Sequence, residues 1–171
     1  YFNCFDQTVP DPESLSIRLS EPHFGIGGDG IILISPSDKA DAQMRIFNAD
    51  GSEGKMCGNG IRCVAKYLYD NGMTDGRTTI TIDTLSGVKT LELTVKDGKM
   101  QSARVDMGAA ILAPREIPVD MDGENVISAP IVVDEKVYHM TCVSMGNPHC
   151  VIFQKEDVDD LDLTRIGPKF E

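Results

Sequence analysis

The side chains with chemistry to offer are concentrated in one stretch, Asn48-Ala49-Asp50-Gly51-Ser52-Glu53-Gly54-Lys55-Met56-Cys57-Gly58-Asn59-Gly60-Ile61-Arg62-Cys63. An apolar, strand-length run ends at Phe47, a polar turn follows, and a helical period sets in at Cys57. The first backbone N–H groups of a helix have no internal partners. They carry partial positive charge and attract anions. Gly58 and Gly60 place no side chain over those amides. A cysteine at such a point is favoured as the thiolate, the form that accepts protons and attacks carbon. The segment therefore offers a cradle for a carboxylate beside an activated sulfur. The residues alone leave a second reading of Cys57 open, a small buried hydrophobe on an apolar helix face. Two glycines at a helix start are costly in helix propensity, and that cost asks for a functional reason. Cys4, Cys63, Cys142 and Cys150 are expected to be buried, inert thiols.

The elements around this stretch read mostly as short strands. Ile31-Ile32-Leu33-Ile34 and Met44-Arg45-Ile46-Phe47 are strand-length apolar runs, and Thr78 to Thr84 alternates with β-branched residues. Leu91, Leu93 and Val95 alternate with Glu92, Thr94 and Lys96, which predicts one buried and one wet face. Asp97-Gly98 is a hairpin turn signal, and Ala103, Val105 and Met107 share a face of the return strand. Val137 to Met145 and Cys150 to Phe153 form a further pair around Gly146-Asn147-Pro148. From Cys57 to Asp70 the period is helical. Cys57, Ile61, Val64, Ala65 and Leu68 share one face, and Arg62, Lys66 and Asp70 form a narrow polar stripe. This predicts a largely buried helix ending at Asn71-Gly72. One buried helix among many strands implies an α+β fold with a sheet curled around it. Gly108 to Pro118 has neither period and reads as a crossing, which divides the chain into residues 1–112 and 113–171.

Asn-Ala-Asp-Gly-Ser-Glu followed by Met-Cys-Gly-Asn-Gly-x-Arg-Cys resembles the first catalytic signature of the diaminopimelate epimerases. Phe24-Gly25-Ile26-Gly27-Gly28-Asp29-Gly30 is similar to that family's upstream Gly-rich loop, and Met145-Gly146-Asn147-Pro148-His149-Cys150 to its Gly-Asn-Pro-His segment. The resemblance implies two pseudo-symmetric halves, each a mostly antiparallel β-sheet wrapped around a central helix, the second incomplete here. It implies an isomerase of lysine biosynthesis that inverts the α-carbon of diaminopimelate, between the LL and meso forms, without pyridoxal phosphate or any other cofactor. Two cysteines on opposite faces of that carbon serve as base and acid. By the same resemblance, Cys57 is one of the pair. Asn48 and Asn59 are asparagines that bond the substrate, Gly58 is a backbone position near it, and Asn147 is a substrate asparagine from the second half. His149 belongs to a supporting polar network. The second catalytic cysteine, in a Cys-Gly-Thr-Gly context, is expected after Glu171, and a further substrate asparagine before Tyr1. On that expectation this chain alone does not epimerise. Gly30 stands where some members have a glutamine that touches substrate.

Composition excludes several other classes. Over 171 residues, 41% are apolar and 25% charged, an ordinary globular balance. The net charge of −11 argues against nucleic-acid partners. No apolar run approaches the roughly 18–20 residues that cross a bilayer, so no membrane partner is expected. The start lacks the basic region of a signal peptide. The five cysteines are odd in number and form no Cys-x-x-Cys, which fits free thiols in a reducing cytoplasm. His23, His139 and His149 have no metal-ligand spacing, so no metal is expected. Gly25 to Gly30 satisfies G-x-G-x-x-G in letters, but an apolar strand rather than a helix follows, which speaks against a dinucleotide. The expected partner is a small amino-acid substrate, with a homodimer compatible. Two alternatives remain. A related cysteine racemase of proline type is disfavoured by Asn59, where a histidine is expected. A non-catalytic binding protein of the same fold would not need an ionised Cys57.

Overall fold

The computed structural model describes residues 1–170. The chain divides into two compact units, Tyr1–Met107 and a second from Gly108 on.

The first unit is built on one sheet in the order β1-β2-β3-β5-β6-β7, with β4 paired to β3. Its strands are β1 (Phe2–Asn3), β2 (Gly30–Ser35), β3 (Ala42–Asn48), β4 (Glu53–Gly54), β5 (Thr79–Asp83), β6 (Lys89–Lys96) and β7 (Lys99–Val105). Pairing is mainly antiparallel, with parallel joints at β1–β2 and β3–β5. The predicted Asp97-Gly98 turn joins β6 to β7 with positive φ at both residues, 54° and 73°, as a two-residue hairpin of matching twist requires.

Two helices cover this sheet, α1 (Pro12–Ser20) and α2 (Gly58–Asp70). α2 lays Ile61, Val64, Ala65 and Leu68 into a core formed with Ile32, Ile34, Met44, Ile80, Ile82 and Leu91. Burying each of the larger side chains contributes about 1.5–3 kcal/mol, which far outweighs the two glycines in the first turn. α2 is less buried than its sequence predicts. Asn59, Arg62, Cys63 and Lys66 are exposed along one side. The expectation that Cys63 is buried is therefore overturned, and so is that for Cys150, which is exposed; Cys142 is buried and Cys4 half-buried. The polar stripe is tied to the hairpin rather than merely solvated. Lys66 Nζ donates to Asp70 Oδ2 at 2.8 Å and to the Met100 carbonyl at 2.7 Å, and Met100 N donates to Asp70 Oδ1 at 2.9 Å.

α1 was not expected, and its reason is legible in retrospect. Asp11 caps it by accepting from Ser14 N at 3.1 Å, and Pro12 occupies the first turn. Its Leu15 and Leu19 pack on Ile31, Leu33 and Phe47. The unbroken run Ile31 to Ile34 thus faces α2 with its even residues and α1 with its odd ones. A strand buried on both faces cannot alternate.

The second unit is a three-stranded antiparallel sheet in the order β10-β9-β8, from β8 (Val126–Val133), β9 (Lys136–Ser144) and β10 (Pro148–Ile152). A short helix α3 (Leu163–Ile166) follows. Val126, Ile117 and Cys142 form its small core. β8 is a strand the sequence pattern did not reveal, because only Val126 and Val133 within it are buried. Pro148 begins β10 instead of lying in the turn, a position where its missing N–H costs no ladder bond. Among the described residues, no helix is long and apolar enough to cross a membrane.

Candidate active site

Cys57 is the N-cap of α2, with extended backbone at φ −136° and ψ 108°. Its Sγ accepts a hydrogen bond from Gly60 N at 3.2 Å, and its carbonyl accepts from Ile61 N at 2.9 Å. Of the orphan amides of the helix start, that of Gly60 is thereby satisfied by the sulfur, while Ile61 N makes the first bond of the helix itself. Those of Gly58 and Asn59 have no partner among the described residues and remain available. The two glycines play different parts. A Cβ on Gly60 would lie 2.5 Å from Ile32 Cδ1 and 3.2 Å from Cys57 Sγ. Gly60 is therefore favoured by the close approach of helix, strand and sulfur rather than by ligand access. A Cβ on Gly58 would meet nothing nearer than Met107 Cε at 3.9 Å, so the space before that amide is open.

Asn59 follows on the exposed side. Its Oδ1 accepts from Arg62 Nη2, and Arg62 Nε donates to the Gly58 carbonyl at 3.1 Å. Arg62 thus orients both residues of the first turn. The sequence placed it on a polar stripe without assigning it a role.

Asn48 ends β3 and is exposed. Its Nδ2 donates to Ser52 Oγ at 3.0 Å and its N–H to the Ser52 carbonyl at 2.9 Å. Ser52 in turn donates from N and Oγ to Asp50 Oδ1, at 2.9 and 2.6 Å, and these bonds hold the Asp50 carboxyl below its ordinary value. The Asn48 carbonyl accepts from Ser16 Oγ at 2.7 Å, and that hydroxyl also lies 3.0 Å from the Phe47 carbonyl. Arg45 and Glu53 pair bidentately across β3 and β4, at 2.6 and 3.0 Å. The loop bearing Asn48 is thus clamped from three sides. Ser16 escaped sequence reading because α1 did.

Gly30 pairs with Asn48 in the β2–β3 ladder. It sits at φ +142°, and a Cβ there would lie 2.1 Å from the Phe47 carbonyl oxygen. A glutamine side chain has no place at this position on this backbone.

A cleft of about 320 Å³ runs along the start of α2, lined among others by Tyr1, Asp29, Ile46, Cys57, Asn59 and Cys63. Burial, a hydrogen bond with Cys63 and the sulfurs of Cys63 and Cys57 push the Tyr1 phenol up to about 12. The phenol is therefore a neutral donor at the cleft across the physiological range. The cleft is concave, mostly apolar in its lining with a polar minority, and provided with one sulfur set against helix amides. That arrangement can hold a small anion and exchange a proton with it.

In the second unit, Asn147 and His149 come together at the tip of the β9–β10 hairpin, with His149 Nε2 and Asn147 Oδ1 3.2 Å apart. Gly146, at φ +104°, makes the turn, and its N–H donates to Ser144 Oγ at 3.2 Å. Both Asn147 and His149 are exposed.

Solved structures with this architecture include a probable proline racemase from Agrobacterium radiobacter K84, with a TM-score of 0.65 at 20% identity over 94% of this chain and 42% of that one. At that identity the likeness speaks for the fold alone. Sequence relatives are much closer. The diaminopimelate epimerase of Acetivibrio thermocellus is 53% identical over 100% of this chain and 60% of its own length. That of Methanococcus maripaludis strain S2 is 50% identical over 100% of this chain and 61% of its own length. The chain thus spans about three-fifths of the curated relatives it matches. The family described as Diaminopimelate epimerase matches residues 3–113, the span that contains Asn48, the Cys57 cap and the whole of α2. With that match and these relatives, the chain belongs to the diaminopimelate epimerase family.

Proposed function

We propose that this chain supplies one side of the active site of a cofactor-independent isomerase that interconverts LL- and meso-diaminopimelate. The observation that carries the reading is the half-buried Cys57 Sγ at the α2 N-cap, beside the open amides of Gly58 and Asn59. In this reading the amides bind the α-carboxylate of the substrate. Cys57, as thiolate, removes the α-proton from one face of the carbon, and a second cysteine, as thiol, delivers a proton to the other. In the reverse direction the two exchange roles, so no net proton is consumed. The second cysteine comes from the part of the longer protein that this chain does not include, and the chain alone does not epimerise. Asn48 and Asn59 hold the polar ends of the substrate, Asn147 is a further substrate contact, and His149 orients Asn147 through their mutual bond. Five free thiols fit a reducing compartment, which we take to be the cytoplasm.

The test is Cys57→Ala in the full-length protein, followed by epimerisation and by deuterium incorporation from heavy water at the α-carbon. A positioned acid–base group contributes about 10²–10⁴-fold, so turnover is expected to fall by at least ~100-fold while circular dichroism is unchanged. Turnover like that of the unmutated protein in a folded Cys57→Ala variant overturns the assignment.

A further inference from the structure

The β9–β10 ladder sets Cys142 directly opposite Cys150. Ser144 exchanges both of its main-chain hydrogen bonds with Ile111, at 2.9 Å each, so its amide and carbonyl point away from β10. Main-chain groups alternate sides along an antiparallel strand. Val143 therefore bonds to β10, and Cys142 again faces away. Cys142 and Cys150 are thus a non-hydrogen-bonded pair, the closer kind, with Cα atoms about 4.5 Å apart. A disulfide spans Cα separations of about 4.4–6.8 Å. Both thiols are free, and that of Cys142 is within hydrogen-bonding reach of Cys150. Burial and the adjacent Cys150 push the Cys142 thiol up, which marks it as the less reactive of the two. Cys142 is 3% exposed, whereas Cys150 is exposed, with its thiol donating to Met140 Sδ at 4.0 Å.

We propose that Cys142 and Cys150 form a dithiol modification site that reacts with low-molecular-weight disulfides and closes into a bond stapling β9 to β10. The exposed Cys150 sulfur, as thiolate, attacks one sulfur of the reagent, expels the other half as a thiol and becomes a mixed disulfide. Cys142 then gives up its proton, attacks the Cys150 sulfur and expels the second half. Two protein thiols are oxidised, one reagent disulfide is reduced to two thiols, and the two protons leave on those thiols. The closed loop encloses Asn147 and His149, so oxidation locks the hairpin that carries them. None of this requires Cys57 or the chemistry proposed for it.

The experiment incubates the native, reduced protein with oxidised glutathione, quenches with iodoacetamide in denaturant so that Cys142 is reached, and digests with trypsin. Cys142 and Cys150 fall in one peptide, Val137 to Lys155, because no Lys or Arg lies between Lys136 and Lys155. The expected product is that peptide lighter by two hydrogens and unlabelled at both cysteines, returning to the doubly labelled form after dithiothreitol. Cys150→Ser, at an exposed position, is expected to abolish closure, and Cys142→Ala to leave glutathione on Cys150. A peptide from the unmutated protein that carries glutathione at Cys150 without closing, or label at both cysteines, overturns the proposal. So does a bond from either residue to a different cysteine. Circular dichroism of Cys150→Ser establishes that its loss of closure is not loss of fold.

Discussion

The hydroxyl of Ser16 donates to the carbonyl of Asn48 at 2.7 Å, from a side chain with 0% exposure. A helix on one face of the sheet thus fixes the end of β3 from which Asn48 projects. Ser16→Ala removes a buried hydroxyl that reaches both the Phe47 and Asn48 carbonyls, although Gly51 N still donates to the latter at 3.0 Å, and a loss of this kind costs roughly 0.5–1.5 kcal/mol. Denaturant titration of the variant is expected to show a lower midpoint with unchanged slope. An unchanged midpoint would mean that water or another donor takes the place of the hydroxyl.

Gly58 and Gly60 are expected to respond oppositely to alanine. At Gly58 the site is open, so the gain in helix propensity, up to about 1 kcal/mol, is kept and the fold is unchanged or slightly stabilised. At Gly60 the new methyl meets Ile32 Cδ1 at 2.5 Å and Cys57 Sγ at 3.2 Å. Overpacking of this kind costs about 1–3 kcal/mol and exceeds the propensity gain. Thermal melts of the pair check this; equal shifts would contradict the distinction.

Asp41 holds the narrow parallel joint between β3 and β5. Its carboxylate accepts from Arg77 Nη2 at 2.6 Å, from Thr81 N at 2.7 Å and from Thr81 Oγ1 at 3.1 Å. Burial pushes its carboxyl up, but the Arg77 bond and the two Thr81 bonds outweigh that and hold it below the ordinary carboxylate range. A depressed folded value means that the charged form stabilises the fold above the unfolded pKa of about 3.9. That stabilisation is lost as pH falls through the lower folded value. Asp41→Asn should therefore destabilise at pH 7 by roughly 1–2 kcal/mol, and the gap to the unmutated chain should narrow below about pH 4. Unfolding free energies across that range measure it. A gap that stays constant into acid would remove Asp41 as its source.

Thiol accessibility should follow the structure rather than the sequence pattern. Iodoacetamide is expected to label Cys63 and Cys150, both exposed, in the native protein, and to reach Cys142, at 3% exposure, only on unfolding. Peptide mapping that found Cys142 labelled as early as Cys150 would place it outside the core of Ile117 and Val126.

Much of this protein is written in local pattern. The strand at Ile31 is a short apolar run, the hairpin at Asp97-Gly98 a turn dipeptide and the helix face of Ile61, Val64 and Leu68 a repeat of period 3.6, and neighbouring residues suffice to set them. The Cys57 cap is equally local, since Gly60 N lies three residues from the sulfur it bonds. Other features depend on contacts distant in sequence. Ser16 acquires its role only because α1 packs against β3, which brings it to Asn48 thirty-two residues away. Asp41 meets Thr81 across forty residues, and Cys142 meets Cys150 through a register that a one-residue slip would destroy. The exposure of Cys63 follows the same logic. Its neighbours on α2 fix which side of the helix it occupies, but whether that side is covered depends on where the sheet ends. Periodicity specifies direction along one element, whereas burial and pairing are properties of two elements together.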